Sequence, residues 1–328
     1  MNILAISNNP SRASFRQRIG VYLGTLRSNG INTEVAKLPN GSLARRKLFK
    51  RAADFDGVFL HKKGLNFFDA FWLRRYSKKL IYDFDDAVMY SPKAPDRNSL
   101  SHFIPFRRTA KLADMIIAGN SYLAEHARKF NPNVEILPTG LDTEAYKVQD
   151  GPRNDGKIRL VWIGSKSTLC YLAEIKPALE EIGSRFDNVI LRIICDDFLN
   201  LQNVPVEKYL WSEETEATDL ATCNIGLAPL PDNRFTRGKC GFKSLQYASA
   251  GLPVIASPVG VNTDYIRQGG GYLADGVSDW IDKLCQLISD PQLRKQMGQI
   301  GKAKVQRFDL RVLGRVLIRL IKGCIESR

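Results

Sequence analysis

Histidine and long apolar runs are scarce in this sequence. No apolar stretch reaches 18 residues, which excludes a membrane-spanning helix. The opening MNILAISNN has no basic segment followed by an apolar one, so no secretory signal is expected. There are 3 His (61, 102 and 126) and 6 Cys (170, 195, 223, 240, 285 and 324), with no C-x-x-C pair, so there is no zinc pattern. All the cysteines follow residue 150, mostly in apolar segments, as reduced thiols of a cytoplasmic core would. Acid is also in deficit: 34 Asp+Glu stand against 48 Lys+Arg, a net +14.

What is present is globular. The 328 residues are 44% hydrophobic and 25% charged, enough for sizeable cores and, by length, for two domains. The basic excess is uneven. Residues 1–150 hold 24 Lys+Arg and 14 Asp+Glu, a net +10, and the remainder 24 and 20, a net +4. The first half is therefore expected to meet something anionic: nucleic acid, an acidic membrane surface or a phosphorylated substrate.

Short apolar runs alternate with helical patterns. Strands are expected at 2–7, 32–36, 57–61, 79–83, 115–118 and 134–137, each buried on both faces, with helices such as 15–27 and 108–113 between them. The polar stretch QDGPRNDGK, 149–157, reads as a linker. The alternation restarts with strands at 158–163, 189–195, 225–228 and 253–256 and helices at 171–182, 216–222 and 242–249. The fold class is α/β: two consecutive parallel-sheet domains, whose ligands bind outside the carboxyl ends of the strands. The last segment, 308–325, carries one apolar helical face, suited to packing on its own protein or to a membrane surface.

The densest chemistry lies in PLPDNRFTRGKCGFKSLQYASAGLPVIASPVGVN, 229–262. Arg237, Gly238, Lys239, Cys240 and Gly241 precede a helix that opens at Phe242. Helix N-termini present unpaired N–H groups, and glycines allow close approach, so this is a diphosphate cradle or else a Gly-rich turn with solvated cations. Gln246, inside that helix, suits hydrogen bonding to a diol such as a ribose.

These residues resemble the donor-site signature of family-4 retaining glycosyltransferases of the GT-B fold. GKCGFKSLQYASAGLPVIASPVGVN is closest to a bacterial subgroup with a GKCGFK…QY…AGLPV.ASPVG.N pattern. VWIGSKSTLCYLAEIKPAL, IIAGNSYLAEHA, LPTGLDTEAY and IYDFDDAVMY resemble that subgroup in order, so the likeness spans nearly the whole chain. The resemblance implies two Rossmann-like domains facing a cleft, an acceptor domain (1–148), a donor domain (158–307) and a C-terminal helix, 308–328, crossing back to the first. It implies transfer of a sugar from a nucleoside-diphosphate sugar, UDP before GDP, with retention and without a metal or other cofactor. The implied acceptor is a lipid-linked or anionic saccharide in bacterial envelope synthesis, at the cytoplasmic face of the membrane.

Position by position, the likeness has gaps. The family's two glutamates, eight apart, fall on Gly238, which has no side chain, and on Gln246. Its diphosphate-binding basic pair falls on Ser165 and Cys170, which leaves Lys166, Arg237 and Lys239 as substitutes. Gly164, Ser165, Ser167 and Thr168 complete the implied donor loop. The family's catalytic His falls on Asp85, followed by Asp86. That carboxylate suits binding of sugar hydroxyls, stabilisation of an oxocarbenium-like charge or acceptance of the acceptor proton, or else both aspartates cap the next segment. Lys239 would stabilise the leaving diphosphate.

At other strand ends, Asn9, Arg12, Arg16 and Arg18 suit an acceptor phosphate or an exposed helix start, and His61 suits the acceptor or a structural role. His102 and His126 are expected on the surface. The stretches LARRKLFKR, 43–51, and NFFDAFWLRRYSKK, 66–79, mix bases with apolar bulk. They suit docking on anionic lipid, or they place aromatics in the core. Two other readings stay open: a nucleotide-sugar epimerase or hydrolase on the same fold, and a non-catalytic binder of membrane or nucleic acid. The alternation and the lack of a recognisable RNA-binding motif argue against nucleic acid.

Overall fold

The computed structural model describes residues 1–147, 155–267 and 269–327. The chain forms two compact units. The first comprises Met1–Gly140, Asn233–Cys240 and Leu310–Arg328, and the second Leu141–Asp232 and Gly241–Asp309. The division differs from the sequence boundaries in three places. Residues 141–147 and 308–309, expected in the first, cluster with the second unit, and 233–240, expected in the second, cluster with the first. Of the expected linker, 149–154 lie outside the described residues. With these bounds the first unit holds 31 Lys+Arg and 12 Asp+Glu, a net +19, and the second 17 and 22, a net −5.

The first unit is a six-stranded parallel sheet: β1 (Asn2–Ser7), β2 (Asn32–Lys37), β3 (Gly57–His61), β4 (Leu80–Phe84), β5 (Met115–Ala118) and β6 (Val134–Ile136). Its order is β2-β1-β3-β4-β5-β6, so the chain changes direction between β1 and β3. β3, β4 and β5 are buried at every residue, as their apolar runs require. Edge strand β2 is exposed along much of its length, unlike the fully buried strand expected there. Helices cover both faces and bury a core that includes Phe49, Tyr82, Phe84 and Phe106. Helix Leu310–Glu326 buries Leu313, Leu317, Ile321 and Cys324 within this unit. Among the described residues no helix is long and apolar enough to cross a membrane.

The second unit repeats the plan with β7 (Ile158–Ile163), β8 (Val189–Ile194), β9 (Val206–Tyr209), β10 (Ile225–Ala228), β11 (Val254–Ala256) and β12 (Gly271–Leu273). The order is β12-β11-β10-β7-β8-β9, all parallel, and the direction changes between β7 and β10. β9 and β12 were not expected from sequence. Both are short, half-buried edge strands without the apolar run that marks the central ones.

Two expected helices are broken. The first divides into Ala13–Arg18 and Leu23–Ser28 around a 3-10 turn, Gly20–Tyr22. The second divides at Ile175, and Pro177 sits in the first turn of Lys176–Arg185, where its missing N–H costs nothing. The short helix expected at 108–113 extends back to Leu100 despite Pro105. None of the six cysteines is in a disulfide. Cys195, Cys223 and Cys324 are buried, whereas Cys170 is exposed.

Candidate active site

In open parallel sheets the crevice lies outside the carboxyl ends of the strands where the order reverses. In the first unit that point is between β1 and β3. His61 ends β3 and is buried. Its Nδ1 donates to Asp83 Oδ2 at 2.9 Å, and its Nε2 lies 3.1 Å from Ser14 Oγ. Both ring nitrogens are engaged, so His61 addresses the crevice through Ser14.

Asp83, on β4, also accepts from Arg18, which donates through Nη1 to Leu137 O at 2.6 Å. Arg18 is 3% exposed. Its expected role at an acceptor phosphate is therefore corrected: the guanidinium is the buried counter-ion of Asp83, and no anion reaches it. Burial opposes the charge on both residues, but each holds the other ionised: Arg18 is pushed up, and Arg18 with His61 holds the Asp83 carboxyl below its usual range. Removing one partner of such a pair leaves an unpaired charge in the core.

Beyond β4, Asp85 and Asp86 meet two lysines. Lys62 Nζ lies 3.1 Å from Asp85 Oδ1 and also bonds Asp86. Lys239 Nζ lies 3.1 Å from Asp86 Oδ1. Asp85 accepts from Ser14 Oγ at 3.3 Å, which joins this cluster to His61. Burial works against ionised Asp85, but Lys62, His61 and Arg18 outweigh it and hold the carboxyl below its usual range. For Lys239 burial is likewise outweighed, by Asp86, and its pKa is raised. The two aspartates do not act as helix caps, since their carboxylates face lysines. Sequence reasoning passed over Lys62. It is the one described non-glycine residue with positive φ, +53°, a strained conformation typical of functional loops.

The 233–240 segment brings Lys239 to Asp86. Asn120 caps helix Ser121–Arg128 through Oδ1, and its amide donates to Gly238 O at 3.1 Å and Lys239 O at 3.3 Å. A Cβ on Gly238 would lie 2.8 Å from Ala87 Cβ and 2.9 Å from Leu123 Cδ2. The missing side chain is thus a packing requirement. Arg237 is exposed and Cys240 half-buried.

The expected acceptor residues Asn9, Arg12 and Arg16 share one turn and helix start: Arg12 N donates to Asn9 O at 3.2 Å and Arg16 N to Arg12 O at 3.1 Å. Asn9 Oδ1 accepts from Ser11 N at 3.1 Å and forms a turn. Arg12 is the exposed residue preceding helix Ala13–Arg18, and Arg16 is half-buried on it. His102 and His126 are half-buried, not on the surface as expected. His102 Nδ1 bonds Ser99 Oγ at 2.7 Å, and His126 Nδ1 donates to Tyr122 O at 2.8 Å. The aromatic stretch divides. Trp72 packs on the core with Arg46 stacked over it, whereas Phe67, Phe68 and Phe71 are 65%, 68% and 55% exposed. Leu43, on neighbouring helix Ser42–Lys50, is exposed too.

In the second unit the reversal point is spanned by Tyr247. Its hydroxyl accepts from Ile163 N at 3.0 Å and donates to Leu227 O at 3.1 Å, tying the ends of β7 and β10 together. Helix Phe242–Ser249 therefore starts over the crevice. Gly241, at φ +64°, precedes it, with Val261 Cγ2 2.8 Å from any Cβ placed there. Lys243, on the helix's first turn, lies over Trp162. Sequence reasoning did not single it out, although its place in GFK was the available signal.

On the β7 side, Gly164 N donates to Ile194 O at 3.0 Å, and Ser165 and Thr168 close a capping box around Ser167. Lys166 is well exposed, yet its ammonium pairs with Asp197 at 3.1 Å, and its backbone N–H donates to Asp196 at 2.7 Å. Its charge is already met by acid at the end of β8. Gln246 is buried, and its amide donates to Glu216 Oε1 at 2.7 Å. Glu216 was also missed: an acid opening a helix looks like an ordinary first-turn residue.

The sequence matches no protein-family model and no curated protein. Solved structures match it over essentially its full length. Sucrose-phosphate synthase from Thermosynechococcus elongatus is similar with a TM-score of 0.77 and 12% identity, covering 100% of both chains. WaaG, a glycosyltransferase involved in lipopolysaccharide biosynthesis, has a TM-score of 0.72 and 14% identity over 98% of this chain and 100% of its own. Anabaena HepE, in complex with UDP and glucose, has a TM-score of 0.70 and 16% identity over 98% and 100%. With its two parallel six-stranded sheets and returning C-terminal helix, the chain has the GT-B fold of these glycosyltransferases.

Proposed function

We propose that this protein is a family-4 type retaining glycosyltransferase. It takes a sugar from a nucleoside-diphosphate sugar, UDP before GDP, to a hydroxyl of a lipid-linked or otherwise anionic saccharide of the bacterial envelope. The observation that carries the reading is the convergence of Lys62, Asp85, Asp86 and Lys239 at the carboxyl ends of β3 and β4. The anomeric C–O bond to the diphosphate breaks, and the acceptor oxygen bonds the anomeric carbon. Lys239, with Arg237, meets the charge on the departing diphosphate. Asp85 faces the positive charge at the sugar, and Ser14 and His61 carry the acceptor proton away. These cations supply the positive charge, so the reading needs no metal. HepE, solved with UDP-glucose, supports a UDP-sugar donor.

The net +19 of the first unit supports an anionic acceptor or surface. Phe67, Phe68 and Phe71, with exposed Arg75 and Lys78 near them in sequence, support peripheral contact with an anionic cytoplasmic membrane. The test is a panel of nucleotide sugars, first by thermal stabilisation and then by turnover with membrane extract as acceptor. Lys239→Ala is expected to lower turnover by about a hundredfold or more, the scale for losing one charge-stabilising donor. Turnover near wild type would refute the assignment. Donor consumption without extract would identify an epimerase or hydrolase instead.

A further inference from the structure

The second unit contains a carboxylate organised more tightly than its place at a helix start requires. Glu216 Oε1 accepts from Gln246 Nε2 at 2.7 Å and from the Tyr146 hydroxyl, and Oε2 accepts from Trp211 Nε1 at 2.6 Å. Tyr146 and Gln246 are 7% and 4% exposed. Burial and the Glu216 charge push the Tyr146 phenol up, so it remains a donor. Three neutral donors orient the carboxylate, and among the described residues no ion pair neutralises it, so its charge is available to a ligand. A carboxylate has about four acceptor sites, and three are filled, which leaves one on Oε2. The Gln246 carbonyl oxygen is a second acceptor beside it.

The place fits a nucleoside. Glu216 opens the helix that leaves the carboxyl end of edge strand β9, and Gln246 lies on the helix that starts over the β7–β10 crevice. Leu210 and Trp211, which follow β9, are 72% and 39% exposed and offer an apolar platform for a base. In a ribonucleotide a diol lies between base and diphosphate, and two adjacent acceptors match its two hydroxyl donors.

We infer that Glu216, held by Trp211, Tyr146 and Gln246, binds the ribose diol of the donor nucleotide, one hydroxyl to Glu216 Oε2 and the other to the Gln246 carbonyl. This rests on the nucleotide-sugar reading above and places the ribose-binding carboxylate on a different helix from Gln246.

The test is calorimetric titration of the whole protein with UDP, GDP and their 2′-deoxy analogues. The wild type is expected to prefer the ribonucleotide by about tenfold, the loss typical of one charge-assisted hydrogen bond. In Glu216→Gln that preference should fall to about twofold or less, through weaker ribonucleotide binding. Glu216→Asp, which withdraws the carboxylate by one methylene, should do the same and serves if the first variant is unstable. Ribonucleotide binding with the preference intact in both variants would overturn this assignment alone. Failure of the wild type to bind either nucleotide would overturn the nucleotide reading and this assignment with it.

Discussion

The exposed phenylalanines allow a quantitative test of membrane contact. Burying a whole Phe side chain is worth about 1.5–3 kcal/mol. Phe67, Phe68 and Phe71 have 65%, 68% and 55% of their surface exposed. Scaled by that exposure, insertion of all three is worth about 3–6 kcal/mol, and each exposed Lys or Arg at an anionic surface adds about 1 kcal/mol. Replacing the three with serine should therefore lower vesicle partitioning by about 10²- to 10⁴-fold, since tenfold is about 1.4 kcal/mol. The variant should fold normally, because these side chains contribute little to the core. The assay is co-sedimentation with vesicles containing about a third anionic lipid, on the premise that basic segments sense acidic leaflets. Salt should remove the basic contribution and leave the apolar one. Sedimentation of the triple variant like wild type, or equal binding of wild type to neutral vesicles, would refute the reasoning.

Two further outcomes follow from the buried charges of the first unit. Arg18→Ala leaves Asp83 unpaired in the core and should cost about 3–5 kcal/mol in denaturant unfolding, the range for breaking a buried pair. A loss under about 1 kcal/mol would show that water reaches Asp83 and that the pair is less buried than its contacts indicate. Asp83 and Asp85 are both held below the usual carboxylate range, so their stabilisation is full above the unfolded value near 4 and is lost as pH falls through the lower folded values. The urea midpoint should hold from pH 7 to about pH 5 and fall below about pH 4. Asp85→Asn should show a shallower fall, and an identical fall would remove Asp85 from the cause.

The architecture was legible because it rests on local signals. Central strands such as β3, β4 and β7 are apolar runs, and the helix at 242–249 begins after a glycine whose φ is positive. β9 and β12 were illegible because an edge strand buries too little to need such a run. The site was legible in part. Asp85, Asp86 and Lys239 were found from strand ends and the glycine-rich string, and they do converge. Lys62, Ser14, Arg18 and Glu216 were not found with their partners, which lie far away in sequence. Arg18 shows the limit most clearly: beside Arg12 and Arg16 it reads as one of three surface cations, and only the tertiary contact of its helix with β4 shows its charge held by Asp83.

Packing also accounts for Gly238 and Gln246, where the resemblance implies a pair of glutamates. At position 238 any side chain meets Ala87 and Leu123. At 246 the neighbour is Glu216, 2.7 Å away through the amide nitrogen. A glutamate there would set two carboxylates at hydrogen-bond distance, and like charges so close cannot both ionise without cost. Gln246 is therefore the residue that Glu216 requires, and Gln246→Glu sets two acids against each other. That variant should lose stability at neutral pH, by about 1–3 kcal/mol for a buried bond turned repulsive, and regain it as acid protonates one carboxyl. The exchange Glu216→Gln with Gln246→Glu returns one amide and one carboxylate to the pair. It should recover most of the loss, a coupling of about 1 kcal/mol or more in a double-mutant cycle. Additive losses would mean that the two side chains act independently despite their contact.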